Sequence, residues 1–124
     1  MFAAKAEADA TPAKVTGIKV TNAHDGIILL TGYNGYVDIA VEFETGKKAR
    51  PIELNISAQH PVDFKESSTV LGQNVPSCKV TTQADGTCRL HVSFLACGKK
   101  EVQVKVSVKN SDASAKVILK YKMF

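Results

Sequence analysis

Between residues 101 and 109 every second position is a valine: Val102, Val104, Val106 and Val108 alternate with Gln103, Lys105, Ser107 and Lys109. Successive side chains of an extended strand point to opposite faces, so this spacing places four β-branched residues on one side and polar ones on the other. Such side chains fit a pleated surface and crowd a helix. The segment therefore predicts a strand with one buried face. Residues 36–43 repeat the pattern, with Val37, Ile39, Val41 and Phe43 inward and Asp38 and Glu42 outward. Weaker runs at residues 15–21, 27–30, 52–57, 78–82, 88–94 and 115–123 bring the number of expected strands to eight, and helical periodicity is hardly visible. Short strands separated by turn residues predict an all-β chain, a sandwich or a small barrel.

The length of 124 residues allows one domain with its own core. The longest apolar runs, such as Ile27-Ile28-Leu29-Leu30, are far below the ~18 to 20 residues of a membrane-spanning helix. Residues 1–14 have no hydrophobic stretch and read as a flexible leader, leaving residues 15–124 for the domain. Ala6-Glu7-Ala8 looks like the small-residue end of a signal peptide, a hint of export.

The turns carry register information. Tyr33-Asn34-Gly35 and Asn110-Ser111-Asp112 mark tight reversals. If Val80 and Leu90 both face the core across a hairpin at Asp85-Gly86, its loop is Ala84-Asp85-Gly86, with Gly86 left-handed. That register sets Cys78 opposite Val92 and Thr82 opposite Cys88, so the two thiols share a face roughly 13 Å apart. A disulfide needs Cα atoms within ~7 Å. The three cysteines, with no Cys-x-x-Cys spacing, leave either one bridge, Cys78–Cys97, or three buried thiols.

Charge is unevenly spread. Sixteen Lys and Arg face twelve Asp and Glu, net +4, but residues 1–78 hold nine acids and seven bases, whereas residues 79–124 hold nine bases and three acids. Lysines commonly blunt exposed strand edges, and the strands at 102–109 and 116–122 are expected to leave such an edge, kept monomeric by their lysines. Specific anion binding is the other reading. Tyr121 is the one aromatic placed near these lysines in an expected strand, too few stacking platforms for a nucleic-acid partner.

No catalytic set emerges. His24, His60 and His91 accompany no strand-turn-helix nucleophile elbow, and no helix stands ready to activate a thiol. Blue copper would need a His after its Cys, and none follows Cys97. Asp25-Gly26 and Asp85-Gly86 are single turn steps rather than calcium loops. Asn55-Ile56-Ser57 matches a glycosylation sequon. The reading is a non-enzyme with no cofactor and no metal.

Residues 58–77 lack sustained alternation and contain Pro61, Gly72 and Pro76. A stretch of this length is an irregular strand pair or a functional loop, since plain connections are usually shorter than ~12 residues. Within it His60, Pro61, Asp63, Lys65, Glu66, Gln73 and Asn74 are the candidate binding residues.

The order of these elements brings a family into view. The strand at 36–43, Gly46 and Pro51, the strand at 52–56, the run Thr81-Thr82-Gln83-Ala84-Asp85-Gly86-Thr87-Cys88-Arg89-Leu90, and Gly98 leading into Val102-Gln103-Val104 resemble bacterial immunoglobulin-like domains of the invasin and intimin type. The resemblance covers residues 15–123. It implies an immunoglobulin-like two-sheet antiparallel β-sandwich, without chemistry of its own, secreted or at a cell or virion surface. Such a module engages a protein or glycan partner through loops, alone or within a larger fibre. The cysteines and the segment 58–77 depart from the family pattern. A small soluble carrier or inhibitor, holding an apolar ligand or occluding a protease through residues 58–77, is the alternative expectation.

Overall fold

The structure, a computed structural model, describes residues 13–95 and 98–121. It holds eight strands: β1 (Val15–Val20), β2 (Ile27–Leu30), β3 (Asn34–Phe43), β4 (Glu53–Glu66), β5 (Thr69–Thr81), β6 (Thr87–Ser93), β7 (Glu101–Val108) and β8 (Ser114–Tyr121). They form one curled sheet in the order β1-β3-β6-β4-β7-β8-β2, with β5 paired to β4. Every pairing is antiparallel except that of β2 with β8.

The alternation seen in the sequence is the alternation of burial. Val102, Val104 and Val106 are fully buried and Val108 nearly so, while Gln103 and Lys105 between them are exposed. Val37, Ile39 and Val41 line the same core from β3. Phe64, Phe94, Leu54, Ile56 and Leu90 are its largest contributors together with Ile39. Burying a side chain of this size contributes about 1.5–3 kcal/mol.

Strand β4 gives the sheet its curl. Its first half, Leu54 to Ala58, pairs with Val108 to Val104 of β7, and its second half, Asp63 to Lys65, pairs with Ser93 to His91 of β6. Strand β5 lies along β4 with register shifts between Ser57 and Lys65. Bulges of this kind bend a strand and increase its twist. The segment 58–77 is thus an irregular strand pair and not a loop. Its scarcity of alternation reflects the shifts, each of which moves later side chains to the other face.

Two turn expectations are overturned. Asn34 and Gly35 belong to β3, and the bend falls at residues 31–33. At Asp85-Gly86 the turn exists: the Gly86 N–H donates to the Gln83 carbonyl at 2.9 Å, the Gln83 N–H to the Thr87 carbonyl at 2.8 Å, and Gly86 has φ +82°. Yet β5 and β6 do not form a hairpin. Val80 lies opposite Leu54 and Leu90 opposite Val37. Both reach the core from different parts of the sheet, so facing each other is not required. Cys78 consequently stands opposite Ile56, and Cys88 opposite Ile39. The reversal at Asn110 is as expected, with φ +62° and the Ser111 N–H donating to the Val108 carbonyl at 3.2 Å.

The edge expectation is also overturned. Strand β7 lies between β4 and β8, and β8 between β7 and β2, so neither is an edge. Of the expected leader, Ala13 and Lys14 are described. Ala13 is buried, its carbonyl accepting from Nε and Nη2 of Arg50 at 3.3 and 3.0 Å. The Lys14 carbonyl accepts the Glu44 N–H at 3.0 Å.

Candidate functional site

The outer face of β3, β6 and the end of β4 carries a cationic and aromatic cluster. Its register follows from the pairing: Tyr36 stands opposite His91, His91 opposite Lys65, and Asp38 opposite Arg89 in the adjoining row. The inward neighbours Val37, Leu90, Val92 and Phe64 are fully buried, which turns this set outward.

Arg89 organises the cluster. Its Nε donates to Asp38 Oδ1 at 2.8 Å and its Nη2 to Oδ2 at 3.1 Å, a two-point ion pair. Hydrogen bonding to Asp38 and the carboxylate's charge raise the Arg89 pKa above its ordinary value. The guanidinium lies 4.8 Å from the Tyr36 ring centroid, within cation–π range. The His91 ring meets the Tyr36 ring edge-on, centroids 5.2 Å apart. Tyr36 is nonetheless 49% exposed, so much of the ring stays open to a ligand.

Beside this cluster is an open groove of about 410 Å³ whose walls include Lys65, Glu66, Gln83, Arg89 and His91. Among the described residues Lys65 makes no ion pair, so it brings an unneutralised charge to the rim. The groove offers donors to a carboxylate or a hydroxyl.

The thiol behind it is not a nucleophile. Cys88 is buried, and its S–H donates to Glu66 Oε2 at 3.5 Å. Burial first, and the Glu66 charge second, push the thiol up to about 12. Burial pushes Cys78 up to about 11. Both stay protonated at neutral pH. Cys78 and Cys88 carry free thiols. Cys97, the other half of the expected bridge, lies outside the described residues. Among the described residues no group of three or more His, Cys, Asp or Glu side chains could hold a metal ion.

The expected binding residues divide into three places. Lys65 and Glu66 reach the groove. Asp63 accepts the Asn74 N–H at 2.7 Å, where Asn74 has φ +55°, and so closes the bulge beside exposed Gln73. His60 and Pro61 occupy the stretch where β4 passes from β7 to β6. Tyr36, Arg89 and His91 were missing from the expected set. Their signal was present, since Tyr36 and Arg89 fall on the outward phase of two alternating strands, but nothing local says that β3 and β6 are neighbours.

No family model matches the chain, and no curated protein compared with it is similar in sequence. Solved structures do resemble it. Domains 4 and 5 of the S-layer protein SbsC match with a TM-score of 0.55 and 9% identity over 90% of this chain. This chain spans 54% of that one. The ASH/PapD-like domain 7 of human CEP192 matches with a TM-score of 0.45 and 12% identity, covering 89% of this chain and 87% of that domain. The S-layer likeness is one of fold alone. The chain is thus an all-β domain that shares its fold with those S-layer domains, and the comparisons do not single out the invasin and intimin type.

Proposed function

We propose that the chain is a non-catalytic binding or structural module built as an immunoglobulin-like two-sheet sandwich and carried at a cell surface or in an extracellular assembly. The strand order carries this reading. In an immunoglobulin-type sandwich one sheet runs A-B-E-D and the other C-F-G. Here β1-β3-β6-β4 and β4-β7-β8 follow those two orders, with β4 in the place of C by its first half and of D by its second. The register shifts in the middle of β4 fit a strand that turns a corner between sheets. The fold shared with domains of an S-layer protein supports a role in a surface assembly. The groove beside Tyr36 and Arg89 is the surface proposed to meet the partner.

The test is labelling of intact source cells with a membrane-impermeant amine reagent, followed by peptide mapping. Lys47 and Lys48, exposed between β3 and β4, are expected to be modified on intact cells while a cytosolic marker is spared. Modification only after lysis overturns the surface assignment.

A further inference from the structure

We propose that the outer face of β4, β7 and β8 is a docking surface for an anionic polysaccharide. This rests on the reading of the chain as a binding module and adds the ligand class and a second face.

The pairing register lays out that face row by row. One row runs Ser77, Ser57, Lys105, Lys116, and the next runs Lys79, Asn55, Ser107, Ser114. Lys105 and Lys116 are directly opposite one another. Like charges in that position destabilise a sheet. Edge protection does not explain them, because β7 and β8 are interior strands. Neutralisation does not relieve them either. Lys109 is paired with Glu53 at 3.1 Å and Lys19 with Glu42 at 3.8 Å, yet among the described residues Lys79, Lys105 and Lys116 make no ion pair. Lys105 and Lys116 thus face each other without a neutralising carboxylate, and with Lys79 they leave these two rows positive.

Its other side chains narrow the partner. Ser57, Ser77 and Asn55 are exposed, and Gln59 and Gln103 border a shallow depression of about 320 Å³ that Lys105 and Lys116 also line. Hydroxyls and amides both donate and accept, as ring hydroxyls of a sugar require. The two rows hold no aromatic residue on which a base could stack. They hold no large apolar anchor of the kind that dominates protein interfaces. Spaced lysines among short polar groups complement a chain of sugars bearing carboxylates or phosphates.

The experiment measures binding of the whole chain to polygalacturonate at about physiological salt, with dextran, polyglutamate and duplex DNA as comparators. Polygalacturonate is expected to bind, more weakly as salt rises, and dextran not to bind. The double variant Lys105→Gln/Lys116→Gln is expected to lose at least about tenfold in affinity, taking roughly fivefold for each lysine at an anionic surface. Its melting temperature should stay the same or rise, so loss of fold is separable from loss of binding. The control Lys47→Gln/Lys48→Gln, with the same charge change between β3 and β4, should lose less than about twofold. Equal losses in both variants, binding of polyglutamate or DNA as tightly as polygalacturonate, or no binding of polygalacturonate would each overturn the proposal. Surface labelling on intact cells is independent of all these outcomes, so the module reading stands or falls separately.

Discussion

Thr82 and Ile52 are hydrogen-bonded to each other twice: the Thr82 N–H donates to the Ile52 carbonyl at 2.9 Å, and the Ile52 N–H donates to Thr82 Oγ1 at 2.8 Å. The same hydroxyl donates onward to the Gln83 carbonyl at 3.1 Å. Both residues are only 4% exposed, so water cannot replace these bonds. They tie the start of β4 to the end of β5 where β5 leaves the sheet. Thr82→Val keeps the shape and removes the acceptor, leaving a buried N–H unpaired. It is expected to cost about 1–3 kcal/mol in urea unfolding, and Thr82→Ser appreciably less. Equal stability of Thr82→Val and the parent chain would refute the role of the hydroxyl.

The raised pKa values of Cys88, about 12, and Cys78, about 11, make stability depend on alkaline pH. A thiol with its folded pKa above the unfolded value of 9.0 keeps its proton in the native state while the unfolded chain ionises. The unfolded state then binds fewer protons, so stability falls as pH rises. The contribution is complete below about pH 9 and is lost progressively up to about pH 12. Urea midpoints at pH 8 and pH 10 should show this loss, and Cys88→Ala should show a shallower one. Iodoacetamide at pH 8 should leave Cys88 unmodified until the chain is denatured.

Gly86 combines a left-handed backbone, φ +82°, with a crowded site: a Cβ there would come within 2.6 Å of the Phe43 ring. Its carbonyl also accepts the Val41 N–H at 2.9 Å, which docks the turn onto β3. Gly46 has nearly the same φ, +84°, but open space around it. Gly46→Ala should therefore cost only backbone strain, about 1 kcal/mol. Gly86→Ala should cost more, up to about 3 kcal/mol, because the turn must move away from Phe43. Similar thermal shifts for the two variants would count against the steric argument.

The opposition of Lys105 and Lys116 also has a measurable cost in stability. Lys116→Glu exchanges a repulsive cross-strand pair for an attractive one and should stabilise the chain by about 0.5 kcal/mol at low salt. The gain should shrink as salt is added, because both groups are exposed. A salt-independent change, or a loss of stability, would indicate that these lysines do not sense each other.

Several elements could be read from the chain directly. The valines of β7 and the alternating residues of β3 identify strands because a period of two admits one geometry, and polar residues at Asn110-Ser111-Asp112 identify a reversal by local chemistry alone. The left-handed Gly86 was legible for the same reason. The failures are of another kind. Asp85-Gly86 is a sound turn signal, but whether the strands beside it pair depends on which neighbours each finds. Val80 found Leu54 and Leu90 found Val37, two choices made across the core.

Local propensity, the alternation of burial and the uneven distribution of lysine were thus determined by the sequence itself, since each depends on residues a few positions apart. Strand order was decided only in the tertiary structure. It made β7 and β8 interior strands, carried their lysines from an expected edge to an open face, and brought Tyr36, Arg89 and Lys65 together from three separate strands. Side-chain period says which residues turn inward, but the partner on each side is chosen by packing among residues distant in the chain, where the buried surface and the hydrogen-bonded ladders must be satisfied together.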